Sequence, residues 1–420
     1  MTTWLVAGLR SPFARVDGAL KRLDAVALSV PVAKAMAAQL RPGARPDLVV
    51  WGTVAPNLGW SNIAREVVLD AGVDPSTPAL TTVLACSTSM VAVFEAAGML
   101  REGVDVALCG GVESMSRVQI GLRQGMSDVI RRVSQARSLG DRIDRLAEFQ
   151  LKDFGLHIPS VANRATGKSM GEHCEEMAKQ WKIARADQDR IALQSHQRAV
   201  AAMARGYFDD LVIPVEGVSK DGIPRADSSA EKLASLKPAF DRSSGQGTIT
   251  AGNASPLTDG AAAIWVATDP GLERVPQTRP RVKLIDWEIA AVDIFHEGLL
   301  MAPAYAIPRL LARRGLTLQS IDLWEIHEAF AAQVLCNVAA LESEDFVRGK
   351  ARVDAPLGKF PWERMNPNGG SVAIGHPFGA TGARILSQAV KELAAMGPGK
   401  RAVVSICADG GLGTVALLQT

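Results

Sequence analysis

The first 110 residues exchange short apolar runs with longer stretches whose apolar side chains recur every three or four positions. Trp4–Leu9, Leu48–Thr53 and Val104–Leu108 read as strands, the last closed by Gly110 and Gly111. Asp24–Gln39 and Asn62–Ala71 read as helices, and the apolar run Thr82–Ala85 leads into a third at Ser87–Leu100. A strand and a helix in regular exchange specify a layered α/β fold, in which helices cover the faces of a sheet. The pattern returns at Gly247–Ala267 and after Pro280, with Ile321–Trp324, Arg401–Ile406 and Thr414–Leu418 as strands and Thr381–Ala395 as a helix. Between the two α/β stretches, 117–245 is more polar and irregular. The expected organisation is an N-terminal half of 1–116 plus 246–279, an inserted loop domain of 117–245, and a C-terminal half of 280–420.

Composition narrows the class. The 420 residues correspond to about two to three domains. A formal net charge of +2 lacks the basic excess of a nucleic-acid binder, and 47% hydrophobic residues are too many for a disordered chain. No apolar stretch reaches the length of a membrane span, and the short apolar run before Arg10 and Pro12 makes a poor signal peptide. The five cysteines, at 86, 109, 174, 336 and 407, form no C-x-x-C pair and no disulfide framework, so a reducing, cytoplasmic setting is expected. One segment departs from the even charge balance. Residues 117–150 hold seven arginines against four acids, over an apolar stripe of roughly helical spacing. This segment reads as a solvated helix face, as a surface for a partner subunit or a membrane, or as a grip on phosphates.

Three residues could carry chemistry. Cys86, between a short strand and a helix start, sits where free backbone amides and the helix dipole favour a thiolate, although a buried structural cysteine is the commoner fate of a free thiol. His376 lies in a glycine-rich loop, Gly375-His-Pro-Phe-Gly379, either aimed at one spot or capping a turn. Cys407 ends an apolar strand before Asp409-Gly-Gly411, the place where α/β sheets meet ligands, or it is a core cysteine. His327 lacks a second histidine four residues on, so no metal site is expected there. Strand, cysteine and glycine pair recur at 106–111 and 405–411, which suggests two similar halves. A nucleophilic thiol, a histidine and a second thiol together suit Claisen chemistry on thioesters, which needs an acyl carrier, a base for a weak carbon acid and donors for two oxyanions.

These segments, in this order, resemble the thiolase family (acetyl-CoA C-acyltransferases) over nearly the whole chain. Leu84–Met90 resembles its nucleophile segment, and Gly110-Gly-Val-Glu-Ser-Met-Ser116 its glycine-glycine-x-glutamate segment. Thr248–Ala262 resembles its pantetheine loop, and 366–384 and 407–413 its two C-terminal active-site segments. His327-Glu-Ala-Phe330, Ser169-Met-Gly-Glu-His173 and the long 117–165 stretch resemble the β subunits of fatty-acid oxidation (trifunctional-type) complexes.

The resemblance implies two α/β halves in a five-layered αβαβα core with an inserted loop domain. It implies a 3-ketoacyl-CoA thiolase of fatty-acid β-oxidation. Cys86 would carry the acyl group, His376 would activate it, and Cys407 would exchange the α-carbon proton. His327 would help hold the enolate oxygen, and the amides of Cys86 and Asp409 the other oxyanion. Arg225, Ala251, Gly252, Ser255, Leu257, Met170 and Phe330 would contact coenzyme A, the co-substrate, with no tightly bound cofactor and no metal. It further implies a homodimer or higher homo-oligomer, and leaves room for a hydratase/dehydrogenase α subunit and for membrane contact through 117–150. Asp409 stands where the family usually has Gly or Ala, so its carboxylate would either raise the Cys407 pKa and slow proton abstraction, or point away. Pro256 stands where many members have Gly. A β-ketoacyl-synthase-type enzyme would use a cysteine with two histidines but no second thiol, and a non-catalytic thioester-binding subunit would bind without turnover.

Overall fold

A computed structural model describes residues 2–354 and 356–420. Its strands are β1 (Trp4–Val6), β2 (Ala14–Arg15), β3 (Leu48–Gly52), β4 (Ala79–Thr81), β5 (Val106–Glu113), β6 (Gly121–Leu122), β7 (Leu156–His157), β8 (Thr258–Ala267), β9 (Arg281–Ala291), β10 (Leu323–Ile326), β11 (Arg401–Ala408) and β12 (Leu412–Gln419). Its helices are α1 (Ala25–Ala37), α2 (Ile63–Asp70), α3 (Thr88–Met99), α4 (Gln124–Ser134), α5 (Leu139–Ala147), α6 (Met170–Gln180), α7 (Arg185–Ala204), α8 (Ala230–Ala234), α9 (Ala302–Arg313), α10 (Ala331–Glu342), α11 (Glu344–Gly349), α12 (Ser371–Ile374) and α13 (Thr381–Ala395).

The chain divides into two compact units. The larger takes the residues up to Ala55, Trp60–Arg117 and Ala162–Thr420. Its main sheet runs β10-β11-β12-β9-β1-β8-β5-β3-β4, with β2 beside β8. The order contains a repeat. β1 is antiparallel to β8, β8 to β5, and β5 is parallel to β3. Likewise β9 is antiparallel to β12, β12 to β11, and β11 is parallel to β10. The two similar halves expected from the sequence are therefore present, but not in the register of the cysteine echo. Cys109 packs toward the middle of the fold, whereas Cys407 packs outward.

Alternation along the strands sorts side chains into three cores. On β8, Ala261, Ala263 and Trp265 join α1 and α2 on one face, while Ala262, Ile264 and Val266 join α3 and α13 on the other. On β11 and β12, Val404, Ile406 and Ala416 share that middle core with α3 and α13, and Val403, Val415 and Leu417 face α9 and α10. Helix, sheet, helix, sheet and helix follow in turn, the five layers the resemblance implies. Helix boundaries have local causes. Asp24 and Asn62 accept from Ala27 and Arg65 as N-caps, and Ser169 caps α6 reciprocally with Glu172. The glycine pair 110–111 does not close its strand. β5 continues to Glu113, and the pair is glycine because Trp51 packs where a side chain at 110 would stand and the Gly379 carbonyl where one at 111 would.

The smaller unit, Pro56–Gly59 and Val118–Val161, pairs α4 with α5 and β6 with β7. Ser138 caps α5, and Arg145 bonds both Asp141 and the Arg132 carbonyl. Val129 and Ala136 of the expected stripe are buried, whereas Leu139, Ile143 and Leu146 are exposed. No helix among the described residues is long and apolar enough to cross a membrane.

Candidate active site

The candidate residues stand where the parallel strands end. Cys86 follows β4, His327 follows β10, Cys407 is the seventh residue of β11, and His376 lies between α12 and α13. The turn that presents Cys86 is strained: Ala85 takes a left-handed φ of 43°. Thr88 holds that turn by accepting from the Leu84 amide at 2.9 Å and donating to the Ala85 carbonyl at 2.8 Å. The starts of α3 and α13 meet back to back, with the Ala383 amide on Ser89 Oγ at 2.8 Å. A Cβ at Gly382 would lie 2.3 Å from the Met90 nitrogen. This contact carries Cys86 and His376 toward each other from opposite halves.

The sulfur of Cys86 and the ring nitrogens of His327 and His376 lie within 4.8 Å of one another, the one such group of three among the described residues. The two histidine rings are 4.2 Å apart, centroid to centroid. Each ring has Nε2 buried without a partner and Nδ1 on a hydroxyl. His376 Nδ1 is 2.6 Å from Thr381 Oγ1, and Thr381 Oγ1 donates its hydrogen to the Pro377 carbonyl at 3.0 Å. Thr381 can then only accept from His376, so Nδ1 carries the proton and Nε2 is a free acceptor. His327 Nδ1 lies 2.8 Å from Ser371 Oγ, which also accepts from Arg384 at 2.6 Å. A thiol and two imidazoles at this spacing form a zinc-type donor set, which the sequence, lacking a nearby second histidine, did not suggest.

Burial dominates the electrostatics. It pushes the Cys86 thiol up to about 12, helped by the Asp409 carboxylate and opposed by the Asp409 amide, which donates to the sulfur. The helix start therefore does not favour a thiolate in the resting site, because desolvation outweighs it. Burial also takes His376 down to about 3, with the Arg384 charge adding, and holds His327 well below its ordinary value, with His376 and Arg384 adding. The resting site is thus a neutral thiol beside two neutral imidazoles. Cys407 is raised by burial first and by Cys86 second. The Asp409 charge is felt at Cys86, and its carboxylate is held by Asn163 Nδ2 at 2.8 Å and by the Gly410 amide at 2.6 Å.

The remaining candidates fall into two places. Ser255 donates its amide to the Ala329 carbonyl, Ala331 donates to Asn253, and Leu257 bridges His376 backbone to backbone. The 251–257 loop thereby runs alongside both histidine segments. Phe330 packs edge-on against Phe240 at 5.9 Å, and Met170 packs on the same outer core. Glu175 of α6 ties the start of the loop down by accepting from Thr248 and Ile249. Arg225 is exposed, with its amide on His196 Nδ1.

Several supporting residues lie in or beside the quoted motifs but received no role from the sequence. Glu113 accepts from Thr53, Val54, Ala55 and Gly379, which joins the end of β5 to the turn after His376. Asn366, at a φ of 44°, exchanges bonds with Ile326 and reaches Glu328, which fixes the chain on either side of His327. Ser371 and Thr381 stand inside the glycine-rich motif, and a hydroxyl near each histidine was the available signal. Nothing in the sequence pointed to Asn163.

Residues 3–269 match the thiolase N-terminal domain and 278–420 the thiolase C-terminal domain. The 3-ketoacyl-CoA thiolases of Yersinia enterocolitica and Yersinia pestis are each 37% identical over 99% of this chain and 96% of the relative. Among solved structures, the Bacillus anthracis acetyl-CoA acetyltransferase superposes with a TM-score of 0.79 at 32% identity, covering 100% of this chain and 98% of the other. The Acat5 thiolase from Ascaris suum in complex with coenzyme A superposes with a TM-score of 0.80 at 28% identity, covering both chains fully.

Proposed function

The chain belongs to the thiolase family, and from that premise we propose that it is a 3-ketoacyl-CoA thiolase of fatty-acid β-oxidation, acting through an acyl-cysteine. The observation that carries the reading is the meeting of Cys86, His327 and His376 within 4.8 Å, with Cys407 at the end of the neighbouring strand. His376 Nε2, free as an acceptor, takes the thiol proton as Cys86 attacks the 3-keto carbon. Because thiol and imidazole are both neutral at rest, proton transfer accompanies attack rather than preceding it. The bond between the α and β carbons breaks, the acyl group stays on sulfur, and acetyl-CoA departs as an enolate. His327 steadies the enolate oxygen, and Cys407 gives the α-carbon its proton. The Asp409 amide, already directed at the Cys86 sulfur, serves with the Cys86 amide as the other oxyanion hole. The coenzyme A thiol then forms a thioester with the acyl group, its proton passing to the Cys407 thiolate, while the bond to Cys86 breaks and the sulfur recovers its proton from His376.

Coenzyme A is proposed to lie along Ala251, Gly252, Ser255, Leu257, Met170 and Phe330, with Arg225 toward its nucleotide end. The course of the 251–257 loop beside His376 and Phe330 supports this. The division into 1–116 with 246–279, 117–245 and 280–420 belongs to the same reading, as do a cytoplasmic location and a homo-oligomer. The arginines and exposed apolar side chains of 117–150 support a surface for an α subunit or a membrane. The test is CoA-dependent loss of 3-ketoacyl-CoA absorbance with the purified chain. Turnover is expected, and CoA binding without cleavage would reject the assignment.

A further inference from the structure

We infer that Ser371 and Arg384 are a positioning pair that fixes the proton of His327 on Nε2, so that this ring enters the site as an N–H donor. The inference rests on the thiolase reading only for what the donor serves, the enolate oxygen. The proton position itself follows from the hydrogen bonds.

A serine hydroxyl has one hydrogen and two lone pairs, and a guanidinium only donates. Arg384 Nη2 takes one lone pair of Ser371 Oγ at 2.6 Å. The remaining neighbour of that oxygen among the described residues is His327 Nδ1, at 2.8 Å. If Nδ1 carried a proton, Ser371 would accept twice and its own hydrogen would have no acceptor in a buried place. With the hydrogen given to Nδ1, the Ser371 hydroxyl uses its hydrogen and its lone pair, and Nε2 keeps the proton. Nε2 is buried and has no protein partner, so the donor is left for a ligand. Arg384 is itself buried, and the Glu325 and Glu328 carboxyl groups lie close enough to act on it.

The same proton sets the roles of the two rings apart. His376 leans on a threonine that has given its hydrogen away, and so presents an acceptor. His327 leans on a serine whose lone pair is taken by arginine, and so presents a donor. It also argues against a metal bridging Cys86, His327 and His376. Ligation at His327 Nε2 would drive its proton to Nδ1 and strand the Ser371 hydrogen.

The test is nitrogen NMR of the full chain labelled at histidine, with His327→Gln used to assign its signals. The expected spectrum has a protonated Nε2 and an unprotonated, hydrogen-bonded Nδ1 for His327, and the reverse for His376. A His327 spectrum with the proton on Nδ1 overturns the inference. In thiolysis, Ser371→Ala should lower kcat and kcat/KM together by about 10- to 100-fold, as loss of an interaction made only in the transition state does. Ser371→Thr, which keeps a hydroxyl, should recover most of that loss. Parent-like kcat in Ser371→Ala would also overturn the inference. Absence of thiolysis in the parent chain would reject the proposed function, while the spectrum would still decide where the proton sits.

Discussion

His327 and His376 face each other with ring centroids 4.2 Å apart and planes 52° apart, yet the hydroxyl behind each ring assigns it the opposite end of a proton transfer. One ring is built to accept and the other to donate. Two imidazoles of equal burial could not divide these tasks without the side chains behind them.

Thr381→Val removes the acceptor for His376 Nδ1 while keeping the side-chain shape. Acylation of Cys86 should slow by about 10- to 100-fold, since the ring loses the bond that fixes its tautomer. Thr381→Ser should stay near the parent rate. Single-turnover acylation checks this, and equal rates for Val and Thr would separate the tautomer from the base function.

The Cys86 thiol, pushed up to about 12, is almost wholly protonated at neutral pH. Its alkylation by iodoacetamide should therefore climb about tenfold per pH unit through the neutral range without a plateau. Asp409→Asn removes an anion that disfavours the thiolate, so the thiol pKa falls and alkylation at fixed pH quickens several-fold. A plateau near neutrality, or no change in the variant, would contradict this account.

Glu325 is buried, and burial raises its carboxyl from 4.5 to about 8. Between those values the folded chain holds a proton that the unfolded chain has released. Stability must then fall as pH rises across that window. Glu325→Gln, which cannot ionise, should shrink the difference in Tm between pH 5 and pH 8, as read by thermal unfolding at about those two values. An unchanged difference would show that Glu325 is ionised in the fold.

Gly382→Ala would put a methyl carbon 2.3 Å from the Met90 backbone nitrogen, and backbone cannot rotate aside. The expected cost is about 1–3 kcal/mol or more of stability. Activity well below Tm should fall too, because the displaced helix starts carry Cys86 and His376. Full activity in a destabilised variant would mean that the contact serves packing alone.

The legible parts of the sequence are those with a local cause. α13 is legible at its full extent because its apolar periodicity is unbroken, and α1 and α2 begin beside Asp24 and Asn62, whose side chains cap them. Cys86, His376, His327 and Cys407 could be picked out because reactive side chains stood at strand ends and in glycine-rich turns. The rest depends on chain segments far apart in sequence. Gly110 and Gly111 looked like a turn, because the close approach of Trp51 and Gly379 has no local sign. The helix start favours a thiolate at Cys86, whereas burial and the Asp409 carboxylate, both products of packing, raise its pKa. Asn163 reaches Asp409 across 246 positions, a pairing no local pattern announces.

The most direct measurement is peptide mass spectrometry of the chain quenched after mixing with a 3-ketoacyl-CoA and no free CoA. The account predicts acetyl-CoA in solution and the shortened acyl group on Cys86, discharged when CoA is added. An acyl group on another residue, or substrate cleavage that leaves Cys86 unmodified and persists in Cys86→Ser, would contradict it.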